Sequence, residues 1–213
     1  MTGRQGGKTV NSKEWRDSFL RERGLSASDG RPLYAYRCSD AEYEIARKRV
    51  RGLIPYSKQF HEIGNSILSV LFCLFAAEAW RRHHVAGPWK WQTVLREADA
   101  AKVDRNTLTG WIAQGLKYWG RKPIVNAQGR QFLLTIACEG GLPLNLLRRE
   151  GSGLRRYFHA LLEELSRYDK VSVELGRELA ERLRDRLPSS LRQEVVYQLS
   201  GNLIVTIWDL QAQ

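Results

Sequence analysis

The chain has 213 residues, 43% hydrophobic and 27% charged, which is the balance of a globular protein and not of a disordered one. Lysine and arginine number 34 against 23 aspartates and glutamates, a formal net charge of +11 that favours a polyanionic partner. The longest apolar run, 67–77, is shorter than the roughly 20 residues that cross a bilayer, no apolar segment opens the chain, and the cysteines are few and scattered. The expectation is therefore a cytoplasmic protein with no membrane span, secretory leader or disulfide framework.

The charge is unevenly placed. Residues 1–60 carry net +6, 61–80 carry −2, 81–130 carry +7 and 131–213 are neutral, with 11 groups of each sign. Positive potential is thus densest between 81 and 130, and the C-terminal third reads as a solvated helical surface.

Taken in chain order, residues 1–13 are small, polar and basic, and are expected to form a disordered tail. Gly3, Gly6, Gly7, Lys8 and Thr9 imitate a phosphate loop, but the first glycine of that motif would have to stand at Thr2, and no strand precedes it. A short helix is predicted over 15–23 and a loop over 24–32, which is rich in glycine and serine. Ser39 with Glu42 three residues on forms a capping box for a helix reaching about Arg51, where Gly52 stops it. Arg47, Lys48, Arg49 and Arg51 crowd its last turn. They either oppose the helix dipole or bind a ligand, and the sequence leaves both open.

Residues 57–83 are apolar on most faces, the pattern of a central buried helix. His83 and His84, at its end, are adjacent and do not share a helix face, so they suit capping better than metal binding. A short helix over 91–99 follows, with Val94, Leu95 and Ala98 inward. Asp104 then caps a helix over 105–119 whose Leu108, Trp111, Ile112 and Leu116 share one face. Gly120 ends it. A hairpin is predicted from 122–125 and 130–138 around a turn at 126–129, with Pro123 confining its strand to an edge. Helices are predicted over 143–149, 154–168, 174–186 and 189–211, the last with a 203–208 stretch that would also suit a strand. An apolar stripe so near the end of the chain suggests a longer protein or a covering partner.

The predicted fold is mainly α: a multi-helix assembly around a long buried helix, with one small β-hairpin in a winged-helix-like unit. The expected divisions are a basic tail (1–13), an N-terminal helical region (14–86), a helix-turn-helix and hairpin unit (87–140) and a C-terminal helical region (141–213).

No catalytic constellation emerges. His61, His83, His84 and His159 lie in no nucleophile or metal motif, Cys138 reads as packing, and Glu163 and Glu164 read as surface. No cofactor or metal is expected, and no enzymatic activity. The strongest functional pattern is 91–138, whose order of short helix, turn, longer helix and hairpin matches a helix-turn-helix with a wing. Its candidate nucleic-acid-binding residues are Lys102, Arg105, Asn106, Thr107, Thr109, Gln114, Lys117, Tyr118, Arg121, Lys122 and Arg130. Arg105 and Asn106 are placed to read bases, and Lys117, Arg121, Lys122 and Arg130 to hold phosphates. The competing reading is a packed helix pair filled by Trp89, Trp91, Trp111 and Trp119. The two are compatible if the apolar face packs while the basic face binds.

The stretches RPLYAYRCSDAEYE (31–44), LFCLFAAEAWRRHHVAGPWKW (71–91) and GRQFLLTIACEGGLPLNLL (129–147) resemble the N-terminal region of a family of large bacterial proteins found in phage-defence islands beside large helicases, as in Druantia type III-like systems. The similarity spans about 31–213 and carries no catalytic residue. It implies an anti-phage role, a longer native chain, and a helicase, another defence subunit or nucleic acid as partner. The expected function is a non-catalytic nucleic-acid-binding module of such a protein, with DNA ahead of RNA. The alternatives are a protein–protein interaction scaffold, docking through the apolar stripes of 143–211, and an accessory part of a nuclease.

Overall fold

Asn11 opens the described chain as a helix cap: its side chain accepts a hydrogen bond from the Lys13 amide, and Glu14 reaches back to the Asn11 amide. The computed structural model describes residues 11–56, 63–84, 89–100, 102–141, 143–149, 151–168 and 172–187. The cap starts α1 at Ser12–Arg21, so residues 11–13 are the beginning of a helix and not part of a tail. The tail expected over 1–10 and the helix expected over 189–211 lie outside the described residues.

The remaining helices are α2 (Asp40–Leu53), α3 (Ile63–His83), α4 (Trp91–Glu97), α5 (Arg105–Tyr118), α6 (Phe132–Gly140), α7 (Leu144–Arg149), α8 (Gly151–Leu165) and α9 (Val173–Arg182). A two-residue antiparallel pair, β1 (Val125–Asn126) and β2 (Gly129–Arg130), forms the hairpin, with Val125 opposite Arg130. The fold is mainly α, as the sequence pattern indicates. One element differs: the second hairpin strand, expected over 130–138, ends at Arg130, and residues 132–138 belong to α6. A short apolar run does not by its pattern alone separate strand from buried helix. The winged part of the unit is correspondingly reduced to a turn with two-residue strands. Leu33–Tyr36 forms a 3-10 turn closed by Arg37 in the left-handed region (φ 51°).

The chain forms two compact units, Met1–Phe75 with Leu95–Phe132, and Ala76–Val94 with Leu133–Gln213. α3 contributes 63–75 to the first and 76–83 to the second. Every side chain from 68 to 80 is buried, as its all-round apolar pattern requires.

In the first unit α1 buries Trp15, Phe19 and Leu20, and α2 buries Tyr43, Ala46 and Val50, each set on one helical face. Trp15 stacks on Phe19, Phe19 meets Tyr36, and Tyr36 lies 4.9 Å from Trp119, so one aromatic series links α1 to the end of α5. Tyr43 stacks on Phe75 at 5.7 Å. Arg23 ties these parts together. It donates to the carbonyls of Phe19 and Tyr36, lies over the Phe19 ring and bridges to Glu42 at 2.8 Å.

Burial by itself would raise the Glu42 pKa, but hydrogen bonds from Arg23 and from the Ser39 amide and hydroxyl outweigh it and hold the carboxyl below the usual glutamate value. A folded pKa below the unfolded one contributes stability that is complete above the unfolded value and is lost as pH falls through the folded one. We expect Glu42→Gln to cost about 1.5–3 kcal/mol near neutral pH, the worth of hydrogen bonds to a charged group. Urea unfolding should show that gap narrowing on acidification to about pH 3. A gap that stays constant would show that the ionised carboxylate adds nothing.

In the second unit Trp80 donates its indole N–H to the Gly141 carbonyl at 2.8 Å, and Asn145 donates to the Arg82 carbonyl near the end of α3. Gly140 approaches the same helix closely: a Cβ there would stand 2.7 Å from the Trp80 ring. Glu78, buried in α3, bridges Arg82 at 3.0 Å and Arg81 at 3.5 Å. His84 follows the last residue of α3, donates its amide to the Trp80 carbonyl and packs its ring on Trp80 with centroids 4.0 Å apart. α8 buries Tyr157, Ala160, Leu161 and Leu165, and α9 and the segment after it bury Leu179, Leu183 and Leu187.

Candidate nucleic-acid interface

Asp104 caps α5: one carboxylate oxygen accepts from the Thr107 amide at 2.9 Å, the other from the Thr107 hydroxyl at 2.7 Å. Those hydrogen bonds hold the Asp104 carboxyl below the usual aspartate value. The helix buries Leu108, Trp111, Ile112, Gly115 and Leu116 on the face the sequence predicted. That face meets α3 inside the first unit. The Trp119 indole donates to the Val70 carbonyl at 3.0 Å, Cys73 Sγ lies 3.5 Å from the Ile112 carbonyl, and Trp111 contacts Phe72. Trp111 and Trp119 are core filling, while Trp89 and Trp91 are half-buried.

The loop 24–32 finishes the far end of α5. Ser28 Oγ donates to the Tyr118 carbonyl, which the helix leaves without an intrahelical partner, and Arg121 donates to the Gly30 carbonyl at 2.9 Å. Gly120 turns the chain at φ 67°, close to Gly30. No local pattern announces this contact, because its partners stand about ninety positions apart.

The eleven sequence-predicted residues divide in two. Lys102, Arg105, Asn106, Gln114, Lys117, Lys122 and Arg130 are exposed. The others are partly used by the protein. Thr107 serves the cap, and Thr109 donates its hydroxyl to the Asn106 carbonyl. Arg121 is engaged at Gly30, and Tyr118 lies beneath the Arg16 guanidinium, 5.1 Å from its ring centre, with burial raising its pKa. Gln114, though exposed, accepts from Ser69.

Part of the first unit's positive charge is neutralised within it. Arg16, Arg23, Arg31, Arg47 and Arg51 each pair with a carboxylate, on Asp17, Glu42, Asp29, Glu44 and Asp99 respectively. Arg49 is half-buried, which lowers its pKa. The basic cluster at the end of α2 therefore serves largely structural contacts. From Arg105 to Cys138, by contrast, the sequence holds no aspartate or glutamate, while Arg105, Lys117, Arg121, Lys122 and Arg130 fall within it. The acids just upstream are committed, Asp99 to Arg51 and Asp104 to the cap. Among the described residues, Lys102, Arg105, Lys117, Lys122 and Arg130 make no ion pair.

Elsewhere, burial pushes the Cys138 thiol up to about 12, the state of a packed neutral side chain and not of a nucleophile. Among the described residues no group of three or more His, Cys, Asp or Glu side chains is placed to hold a metal, and no helix is long and apolar enough to cross a membrane.

Residues 4–142 match the family described as YjiT N-terminal domain, and residues 149–213 match the YjiT second domain. Protein YjiT of Escherichia coli (strain K12) is 26% identical to this chain over 200 residues, covering 91% of the chain. The match takes in 37% of that protein's length, so the chain spans well under half of its curated relative. No solved structure matches it. With its N-terminal-domain match covering more than half of the sequence, the chain belongs to the YjiT family.

Proposed function

We propose that this chain is a non-catalytic nucleic-acid-binding module whose 102–130 segment lies against a sugar–phosphate backbone, DNA ahead of RNA. The observation that carries the reading is the set of exposed cations Lys102, Arg105, Lys117, Lys122 and Arg130, which make no ion pair among the described residues, in a stretch that from Arg105 to Cys138 holds no aspartate or glutamate. Exposed cations attract a polyanion, which releases its own counterions on binding.

The wider setting belongs to the same proposal. A phage-defence role beside a helicase is supported by the resemblance of 31–44, 71–91 and 129–147. A cytoplasmic location is supported by Cys38, Cys73 and Cys138, all free thiols. The scaffold alternative rests on the apolar stripes of 143–211, of which the stripe over 189–211 lies outside the described residues.

The test is a fluorescence-anisotropy salt titration of the chain with single- and double-stranded oligonucleotides. Five phosphate contacts on duplex DNA should give a log–log slope between about −4 and −5. Absence of binding, or association indifferent to salt, would overturn the proposal.

A further inference from the structure

Resting on that reading, we infer that the interface grips phosphates without reading bases, and that its contacts concentrate at the C-terminal end of α5 and on the hairpin, not at the helix N-terminus.

A helix that reads bases in a major groove does so with residues near its N-terminus. Here that end carries the Asp104 carboxylate, exposed and ionised, which repels the phosphates flanking any groove. Several polar side chains that would read base edges are already partly engaged: Thr107 donates to the cap, Thr109 donates to the Asn106 carbonyl, and the Gln114 side-chain oxygen accepts from Ser69. Arg105 and Asn106 alone remain there, beside a carboxylate.

The other end differs. Lys117 stands in the last turn of α5, Lys122 follows two residues after the Gly120 turn, and Arg130 is exposed on β2. Helix dipoles favour the opposite polarity, with about half a positive charge at the N-terminus and half a negative one at the C-terminus. Side chains outweigh that term. The N-terminal end mixes Lys102 and Arg105 with the Asp104 carboxylate, whereas no aspartate or glutamate falls between Arg105 and Cys138, so the cations beyond the last turn of α5 stand without an acid near them in sequence. Phosphate is the group this end can hold, and phosphates carry no sequence information.

The test uses the 213-residue chain and two variants, Lys117→Ala/Lys122→Ala/Arg130→Ala and Arg105→Ala/Asn106→Ala, against duplexes of unrelated sequence. All five positions are exposed, and thermal unfolding confirms that each variant folds. Glutamine at the same positions supplies a second set should alanine lower the midpoint. The triple variant should weaken binding at least about tenfold and flatten the salt slope by about 3, near one per cation removed. The double variant should weaken binding less than the triple and flatten the slope by about 1, and a change of duplex sequence should alter affinity by less than about twofold. A greater loss in the double variant than in the triple, or a sequence preference of about tenfold or more, would overturn the inference while leaving nucleic-acid binding intact. No binding by the unmodified chain would overturn both.

Discussion

Replacing Trp119 with alanine is expected to lower the unfolding free energy by about 3–5 kcal/mol, the range for deleting a buried aromatic side chain. Trp119 is fully buried, packs on Tyr36 and gives its indole hydrogen to the Val70 carbonyl. Alanine removes the ring contacts, opens a cavity between α5 and the 33–36 turn, and leaves a carbonyl that an intact helix and the indole together had satisfied. The two contributions separate experimentally. Trp119→Phe keeps most of the apolar volume and loses the donor, so it should cost about 1–2 kcal/mol, the penalty of a buried polar group losing its partner. Urea midpoints measured on all three chains give the answer. A Trp119→Ala loss below about 1 kcal/mol would show that the residue is not the centre of this packing.

The features legible in the sequence are those whose cause is local. Ser39 and Glu42 are three residues apart, and the capping box they announce is present in the structure. Asp104 and the face of α5 follow from spacing in the same way. The hairpin turn at 126–129 is set by its own four residues, with Gly129 at φ 100°. Where the cause is distant, the pattern fails. Residues 132–140 are apolar with few polar interruptions, so neither period stands out, and the helix packs through Gly140 closely against Ala77 and Trp80, far away in sequence.

The candidate interface divides along the same line. Exposure of Arg105, Lys117, Lys122 and Arg130 follows from the period of α5 and the turn beyond it. The occupation of Tyr118 by Arg16, of Gln114 by Ser69 and of Arg121 by Gly30 depends on elements that no local pattern brings together. Side chains that look available in a linear reading are therefore already serving the fold, and the binding chemistry shifts from bases toward phosphate.

Gly115 supplies the sharpest test of how α5 is seated, because local and tertiary effects predict opposite signs. Alanine is the better helix former by about 1 kcal/mol, so on propensity alone Gly115→Ala would stabilise the protein. Yet a Cβ at Gly115 would stand 2.5 Å from Cys73 Sγ and closer still to the Ser69 carbonyl oxygen. That oxygen is backbone of the buried α3 and has no rotamer through which to retreat. Separating the two helices enough to admit the methyl group would stretch the Trp119–Val70 hydrogen bond and part Trp111 from Phe72. We expect the clash to win, with a net loss of about 1–3 kcal/mol or more. Gly110, on the same helix with nothing within 4 Å of an added Cβ, is the internal control, and Gly110→Ala should gain up to about 1 kcal/mol. Thermal or urea unfolding of the two variants should therefore move in opposite directions. Stabilisation by both would mean that α5 is not seated on α3 through Gly115.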